Sequence, residues 1–335
     1  MGIEDLDLKK FKEYTRKERP VNDVCAKFGL SILEFEYLVF KLKQSGINII
    51  VSDYGEDATV LNLDERNLNG DNIYTLDNDS KEFNALIISD TRLGSKYQQL
   101  SRLNFAYLEA QRQGIDKVIH CGDLTEGLYN LKSPFYQTLF LDTTESQVDY
   151  VIDRYPYIEG IKTYFITGDQ DATHTKRNGV DIGKLIANER DDMIYLGNMR
   201  CLLNINKMKV LVQHLKVGAF DRAKTISYKP QEAIYSMRSE EKVDIILDGH
   251  ILASEQLTER NMRELAVPSI VATTPRIRNS AIPHNVGFIV LRTTLSKDGK
   301  LKDFSATFSP FYQTDKDDYS STKVLKIGGI KNNEI

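Results

Sequence analysis

The sequence predicts an α/β protein in two parts: a small helical unit with a hairpin, then a larger layered sheet domain flanked by helices. Three observations lead there. Residues 8–44 read as three short helical stretches and residues 48–63 as two alternating strands around a turn. From residue 84 onward, short apolar runs recur at 85–89, 118–119, 164–167, 210–213 and 245–247, with helix-like stretches such as 97–113 and 146–154 between them. Each of those runs ends on Asp, His or both, and ligand-binding residues of open α/β sheets belong at strand ends.

The first unit follows from local signals. A helix is expected over 8–19 and a second over 21–27, with Phe28-Gly29-Leu30 as a tight turn. Ser31 followed by Glu34 forms a capping box that opens a third helix, running to Gln44 with Gly46 as its stop. Along it Leu33, Tyr37, Phe40 and Leu38 are expected to face a core. Residues 48–52 and 58–63 alternate like strands around 54–57. This order is that of a winged helix-turn-helix, whose third helix commonly enters a DNA major groove. Charge argues the other way. Residues 1–70 hold ten Lys or Arg against thirteen Asp or Glu, and phosphate contacts supply most DNA affinity. DNA contact through the basic first helix (Lys9, Lys10, Lys12, Arg16, Lys17, Arg19) and protein docking or self-association therefore stand side by side as readings.

Residues 64–83 are dense in Asn, Asp and Gly and read as a linker with one short strand at 73–76. The layered domain spans 84–312. Its last part, 286–295 and 301–311, alternates like an antiparallel pair around Asp298-Gly299, and residues 313–335 form a polar tail.

Bulk properties exclude little. A chain of 335 residues that is 41 % hydrophobic can bury a sizeable core, and a net charge of −4 gives no global pull toward nucleic acid or acidic lipid. Three cysteines without metal-knuckle spacing fit reduced thiols, and no apolar run reaches membrane-spanning length. The expectation is a soluble cytoplasmic protein with no membrane partner.

The strand-ending segments are SDTRLGS at Ser89, CGDLTEG at Cys121, TGDQDATH at Thr167, VQH at Val212 and LDGHIL at Leu247. In that order they resemble the D-x-H, G-D, G-N-H-D, H and G-H-x-H motifs of the calcineurin-like metallophosphoesterases. The resemblance covers about 84–312 and rests on order rather than on any one motif. It implies a calcineurin-like layered β-sandwich flanked by helices and a two-metal phosphoesterase ancestry. The chemistry needs these residue types because paired cations neutralise phosphoryl oxygens and acidify a bound water.

Carried over residue by residue, the resemblance makes Asp90, Asp123, Asp169, His214 and His250 metal ligands. Asp123 bridges, and Asp169 stands where Asn is usual. Three positions depart from the pattern. Arg92 replaces the histidine of D-x-H, Leu252 replaces the last histidine, and Gln170 replaces the acid near the leaving group. One four-ligand site survives, for a single divalent ion (Mn or Mg, with Zn or Fe as alternatives), and the second is lost. Arg92 is a phosphate-binding candidate, because a guanidinium is bidentate and permanently charged. His174, four residues beyond Gln170, is the candidate replacement acid. His120 is expected in the core or beside the site, and His284 solvated. A separate DNA-binding-type module points to the nuclease branch of the family. Two functions remain open: a one-metal phosphodiesterase or nuclease, and a catalytically inactive DNA-associated regulator or assembly subunit.

Overall fold

The computed structural model describes residues 8–15, 19–44, 49–52, 58–62, 72–214, 242–279, 284–312 and 323–328. The expected turn at 54–57, the stop at Gly46, most of the linker before residue 72 and, of the tail at 313–335, all but 323–328 lie outside them. The chain divides into two compact units, Met1–Asn72 and Ile73–Ile335.

In the first unit, helices α1 (Leu8–Tyr14), α2 (Val21–Phe28) and α3 (Ile32–Gln44) accompany a three-stranded antiparallel sheet of β1 (Arg19–Pro20), β2 (Ile49–Ser52) and β3 (Thr59–Asn62), in the order β1-β3-β2. The first helix stops short of residue 19. Arg19 is in a strand, as expected of a residue before proline, whose ring disfavours the helical conformation behind it. Gly29 ends α2 in the left-handed conformation at φ 64°. The Ser31–Glu34 capping box is formed, with Ser31 N donating to Glu34 Oε2 at 2.8 Å and Glu34 N to Ser31 Oγ at 3.3 Å.

The inward face of α3 corrects one expectation. Phe35, Leu38, Val39 and Leu42 are buried with Phe11, Val24, Ile49 and Val60, whereas Leu33, Tyr37 and Phe40 are 77 %, 50 % and 58 % exposed. The helix carries two apolar stripes at helical spacing. Which one turns inward is decided by the elements packed on it.

The second unit holds two six-stranded mixed sheets. Its strands are β4 (Asn72–Leu76), β5 (Glu82–Ile88), β6 (Lys117–Cys121), β7 (Tyr157–Ile158), β8 (Lys162–Thr167), β9 (Met193–Asn198), β10 (Arg200–Ile205), β11 (Met208–His214), β12 (Ile245–Gly249), β13 (Glu255–Glu259), β14 (Met262–Ala266), β15 (Gly287–Leu295), β16 (Leu301–Pro310) and β17 (Lys326–Ile327). One sheet runs β16-β15-β5-β6-β8-β9, the other β13-β14-β12-β11-β10-β4, and β7 pairs separately with β17. Helices α4 (Leu100–Arg112), α5 (Thr144–Arg154), α6 (Ala172–Asn178) and α7 (Ile182–Glu189) lie between the strands in sequence.

Two-residue periodicity explains the layers. Ile87, Ile119, Ile166, Val210, Val212 and Leu247 share one core cluster between the sheets. Their alternates Leu86, Ile88, Val118 and Phe165 share another with Leu103, Tyr107, Val151 and Ile186 of the helices. The expected layered α/β sandwich flanked by helices is therefore present. Among the described residues no helix is long and apolar enough to cross a membrane.

The antiparallel pair expected at 286–295 and 301–311 is formed. The pair β15–β16 extends the first sheet, β15 running antiparallel to β5 with Ile289 opposite Ile87. The second sheet is built from β10–β14 with β4 at its edge. Its hairpin β13–β14 turns through Arg260 and Asn261, at φ 51° and 63°, the backbone of a turn in which Asn-Gly is the usual signal. That chemistry is missing from the sequence, so the hairpin escapes local reading.

Candidate metal centre

Parallel pairing sets the site. Strands β5, β6 and β8 run parallel, as do β11 and β12, so Asp90, Asp123 and Asp169 follow the C-terminal ends of one sheet while His214 and His250 close those of the other. The turns are tight. Asp90, Arg92, Asp123, His250 and Leu252 sit at φ 50°, 45°, 58°, 72° and 64°, a region costing non-glycine residues on the order of 1 kcal/mol or more each. The glycines of the G-D and G-N-H-D motifs give room for close approach. A Cβ on Gly168 would lie 2.2 Å from Asp123 Oδ1, and one on Gly122 would lie 2.6 Å from His214 Nδ1.

Four side chains converge. Asp123, Asp169, His214 and His250 each offer one ligand atom, all within 4.8 Å of one another. His214 Nε2 lies 3.3 Å from Asp123 Oδ1, 3.0 Å from Asp169 Oδ1 and 3.2 Å from His250 Nδ1, and His250 Nδ1 lies 2.9 Å from Asp169 Oδ1. Tetrahedral donors about 2.0–2.1 Å from one ion are spaced about 3.3 Å apart, so the set fits a single divalent cation. His214 Nδ1–H donates to the Cys121 carbonyl at 2.7 Å, which turns Nε2 inward. Burial works against charge on His214, but Asp123, Asp169 and Asp90 outweigh it and hold the ring well above its ordinary value. Asp169 is held well below the carboxylate range: burial opposes this, and the bonds from His214 and His250 overcome it.

Arg92 occupies the other half of the site. Its Nη2 is 2.9 Å from Asp123 Oδ2 and 3.1 Å from Asp90 Oδ1, with Nε at 3.3 Å from the latter. Asp90 Oδ2 accepts from Ser89 Oγ at 2.8 Å and His250 N at 3.1 Å. Burial pushes Asp90 up, yet Arg92 and the two histidines bring it below its ordinary value. Asp90 is thus beside the cluster but paired to a guanidinium. Arg92 and Leu252 line one cavity of about 410 Å³, together with Glu126, Tyr129, Phe135 and Tyr97.

His174 does not join the cluster. Its Nε2 meets Thr125 Oγ1 at 3.2 Å and its Nδ1 meets Thr144 Oγ1 at 2.9 Å. Thr125 gives its proton to Asp171 Oδ1, so His174 Nε2–H donates to Thr125 and Nδ1 accepts from Thr144. Both nitrogens are committed, and burial lowers the ring to about 4. His284, expected in solvent, is instead held by Ser269 Oγ at 2.8 Å and Thr273 Oγ1 at 3.0 Å, and burial lowers it to about 4. His120 is buried, as expected, bonded to Thr91 Oγ1 at 3.1 Å.

Three residues escaped the sequence. Asp171 receives Leu124 N, Thr125 N, Thr125 Oγ1 and Gly168 N, tying the Asp123 and Asp169 turns together. Asp171 precedes α6 but makes no side-chain bond to cap it, and only long-range pairing shows what it holds. Glu126 is 4 % exposed, and Tyr129 hydroxyl stands 2.8 Å from its Oε1 and 3.1 Å from Gln170 Oε1.

No family model and no curated protein matches this sequence. Among solved structures the chain is similar to a novel archaeal phosphodiesterase, at 12 % identity and a TM-score of 0.39, covering 68 % of this chain and 100 % of that one. It is similar to zinc-complexed Vps29 from Entamoeba histolytica at 16 % identity and TM-score 0.32, covering 68 % and 99 %. A predicted phosphoesterase from Streptococcus pneumoniae shows 14 % identity and TM-score 0.32, covering 68 % and 98 %. Both measures are low, and the calcineurin-like fold of the second unit rests on its two layered sheets and on where the strand-end motifs meet.

Proposed function

We propose that the second unit hydrolyses phosphodiesters, those of nucleic acid included, with one divalent ion and an arginine in place of the second. The observation that carries this is the division of Asp123. Its Oδ1 faces the His214–His250–Asp169 cluster and its Oδ2 is bonded to Arg92, so one carboxylate joins an ion site to a fixed positive charge. Asp123, Asp169, His214 and His250 would hold the ion, Mn or Mg by the carboxylates, Zn or Fe by the imidazoles. When bound, it supplies Lewis acidity for a phosphoryl oxygen and lowers the pKa of a water. Arg92 binds and orients the phosphate by charge-assisted hydrogen bonds. Tyr97, Tyr129 and Phe135 border the same cavity and offer rings on which a base can stack.

A second reading is favoured by one observation. Without an ion the carboxylates already have partners, Arg92 for Asp90 and Asp123, and His214 and His250 for Asp169. Such a domain can persist as a binding scaffold. The deciding experiment is hydrolysis of an aryl phosphodiester and of a labelled single-stranded oligonucleotide by protein loaded with Mn, with His250→Ala as the control. Turnover lost in that variant supports the enzyme. Equal rates in both leave the scaffold.

A further inference from the structure

We propose that Glu126 donates the proton taken by the leaving group, a role left vacant by Gln170; this rests on the hydrolytic reading above. Proton counting carries the argument. Tyr129 has one hydroxyl proton and two acceptors facing it, Glu126 Oε1 at 2.8 Å and Gln170 Oε1 at 3.1 Å. The Gln170 amide is oriented by its Nε2, which donates to Asp169 Oδ2 at 3.4 Å, so its oxygen is the atom facing Tyr129. Thr138 Oγ1, 3.5 Å from Glu126 Oε1, spends its proton on Phe135 O at 2.6 Å. A carboxylate at Glu126 would leave two acceptors sharing one proton. A carboxylic acid completes the chain: Glu126 O–H donates to the Tyr129 oxygen, and Tyr129 O–H donates to Gln170.

One further observation agrees. Burial raises the pKa of Glu126, Asp123 adding to the effect and Arg92 and the hydrogen bonds of Tyr129 and Ser95 opposing it. Glu126 and Arg92 also line one cavity, so a phosphate bound by Arg92 would share that cavity with the carboxyl.

The step balances. The water oxygen bonds to phosphorus, the bond from phosphorus to the leaving oxygen breaks, and its electron pair stays on that oxygen. Glu126 supplies the proton that makes an alcohol. The proton released by the attacking water returns, through solvent, to the Glu126 carboxylate.

The test uses the full chain and Glu126→Gln, whose amide N–H can replace the donor to Tyr129. Alkyl phosphodiesters need an acid and p-nitrophenyl esters do not, so kcat should fall about 100-fold or more on the alkyl ester and only a few-fold on the aryl one. Equal losses on both overturn the role of Glu126 and leave the hydrolase reading intact. Infrared difference spectra at neutral pH give a second readout that needs no turnover. A protonated-carboxyl band present in wild type and missing in Glu126→Gln supports the proposal, and its absence from wild type overturns it. Wild-type protein that hydrolyses neither ester overturns both readings.

Discussion

Arg92 Nη2 lies 2.9 Å from Asp123 Oδ2, so a guanidinium takes the carboxylate oxygen turned away from the histidine cluster. Both groups are enclosed. The Arg92 side chain is 13 % exposed and that of Asp123 is 0 % exposed, and both residues hold positive φ. A charge fixed there removes the electrostatic reason for a second cation, while Asp123 Oδ1 keeps its place at 3.3 Å from His214 Nε2.

Metal content follows. One divalent ion per chain is expected in protein purified without chelator, measured by plasma mass spectrometry. His250→Ala should lose it and Arg92→Ala should keep it. Two tightly held ions per wild-type chain would contradict the assignment.

Rebuilding the other half is a harder demand. Leu252 and Arg92 line the same cavity, and Leu252 keeps φ 64°, so imidazoles at both positions should face Asp90. Arg92→His with Leu252→His should bind a second ion, and Gln170→His added to them should raise aryl phosphodiester hydrolysis. Ligands must be placed to within about 0.5 Å, so ion stoichiometry is the first readout and rate the second. A stoichiometry still at one in the double variant would count against it.

Acid sensitivity should come from buried neutral histidines. Burial lowers His120 to about 3 and His174 and His284 to about 4. A lowered folded pKa means the stability is complete above the unfolded value near 6.5 and is lost as pH falls toward the folded one, at up to about 1.4 kcal/mol per pH unit for each group. His174→Gln should therefore flatten the stability profile between about pH 6.5 and 4, followed by urea unfolding. An unchanged slope would show that His174 is charged in the fold.

The first unit should not bind duplex DNA. Its α3 shows Leu33, Tyr37 and Phe40 to solvent at helical spacing, and residues 1–70 are net negative. Fluorescence anisotropy of the full-length protein with a labelled duplex at low salt should be unchanged when Lys9, Lys10, Lys12, Arg16 and Lys17 are replaced by Ala. Any oligomer seen by light scattering should dissociate when Leu33→Glu and Phe40→Glu are combined. Salt-sensitive duplex binding lost with those lysines and Arg16 would restore the reading by which α1 and α3 contact DNA.

By itself the sequence determined the layered class, the strand ends that carry the chemistry and the capping of α3, because each is written in short-range pattern: apolar runs, Asp or His at their ends, Ser31 three residues before Glu34. It also showed that Arg92, Gln170 and Leu252 depart from the motif order. Only the tertiary structure decided what those departures do. The Arg92 partners lie 2 and 31 residues away, the bonds of Asp171 reach Leu124 and Thr125 some 46–47 residues back, and Tyr129 joins Glu126 to Gln170 across 41 residues. Local periodicity holds no record of such pairings. The same is true of α3, where two apolar stripes satisfy the helical repeat and packing chose Phe35, Leu38 and Leu42 over Leu33, Tyr37 and Phe40. A side chain's type limits the contacts it can make; which of them it makes is settled when distant strands meet.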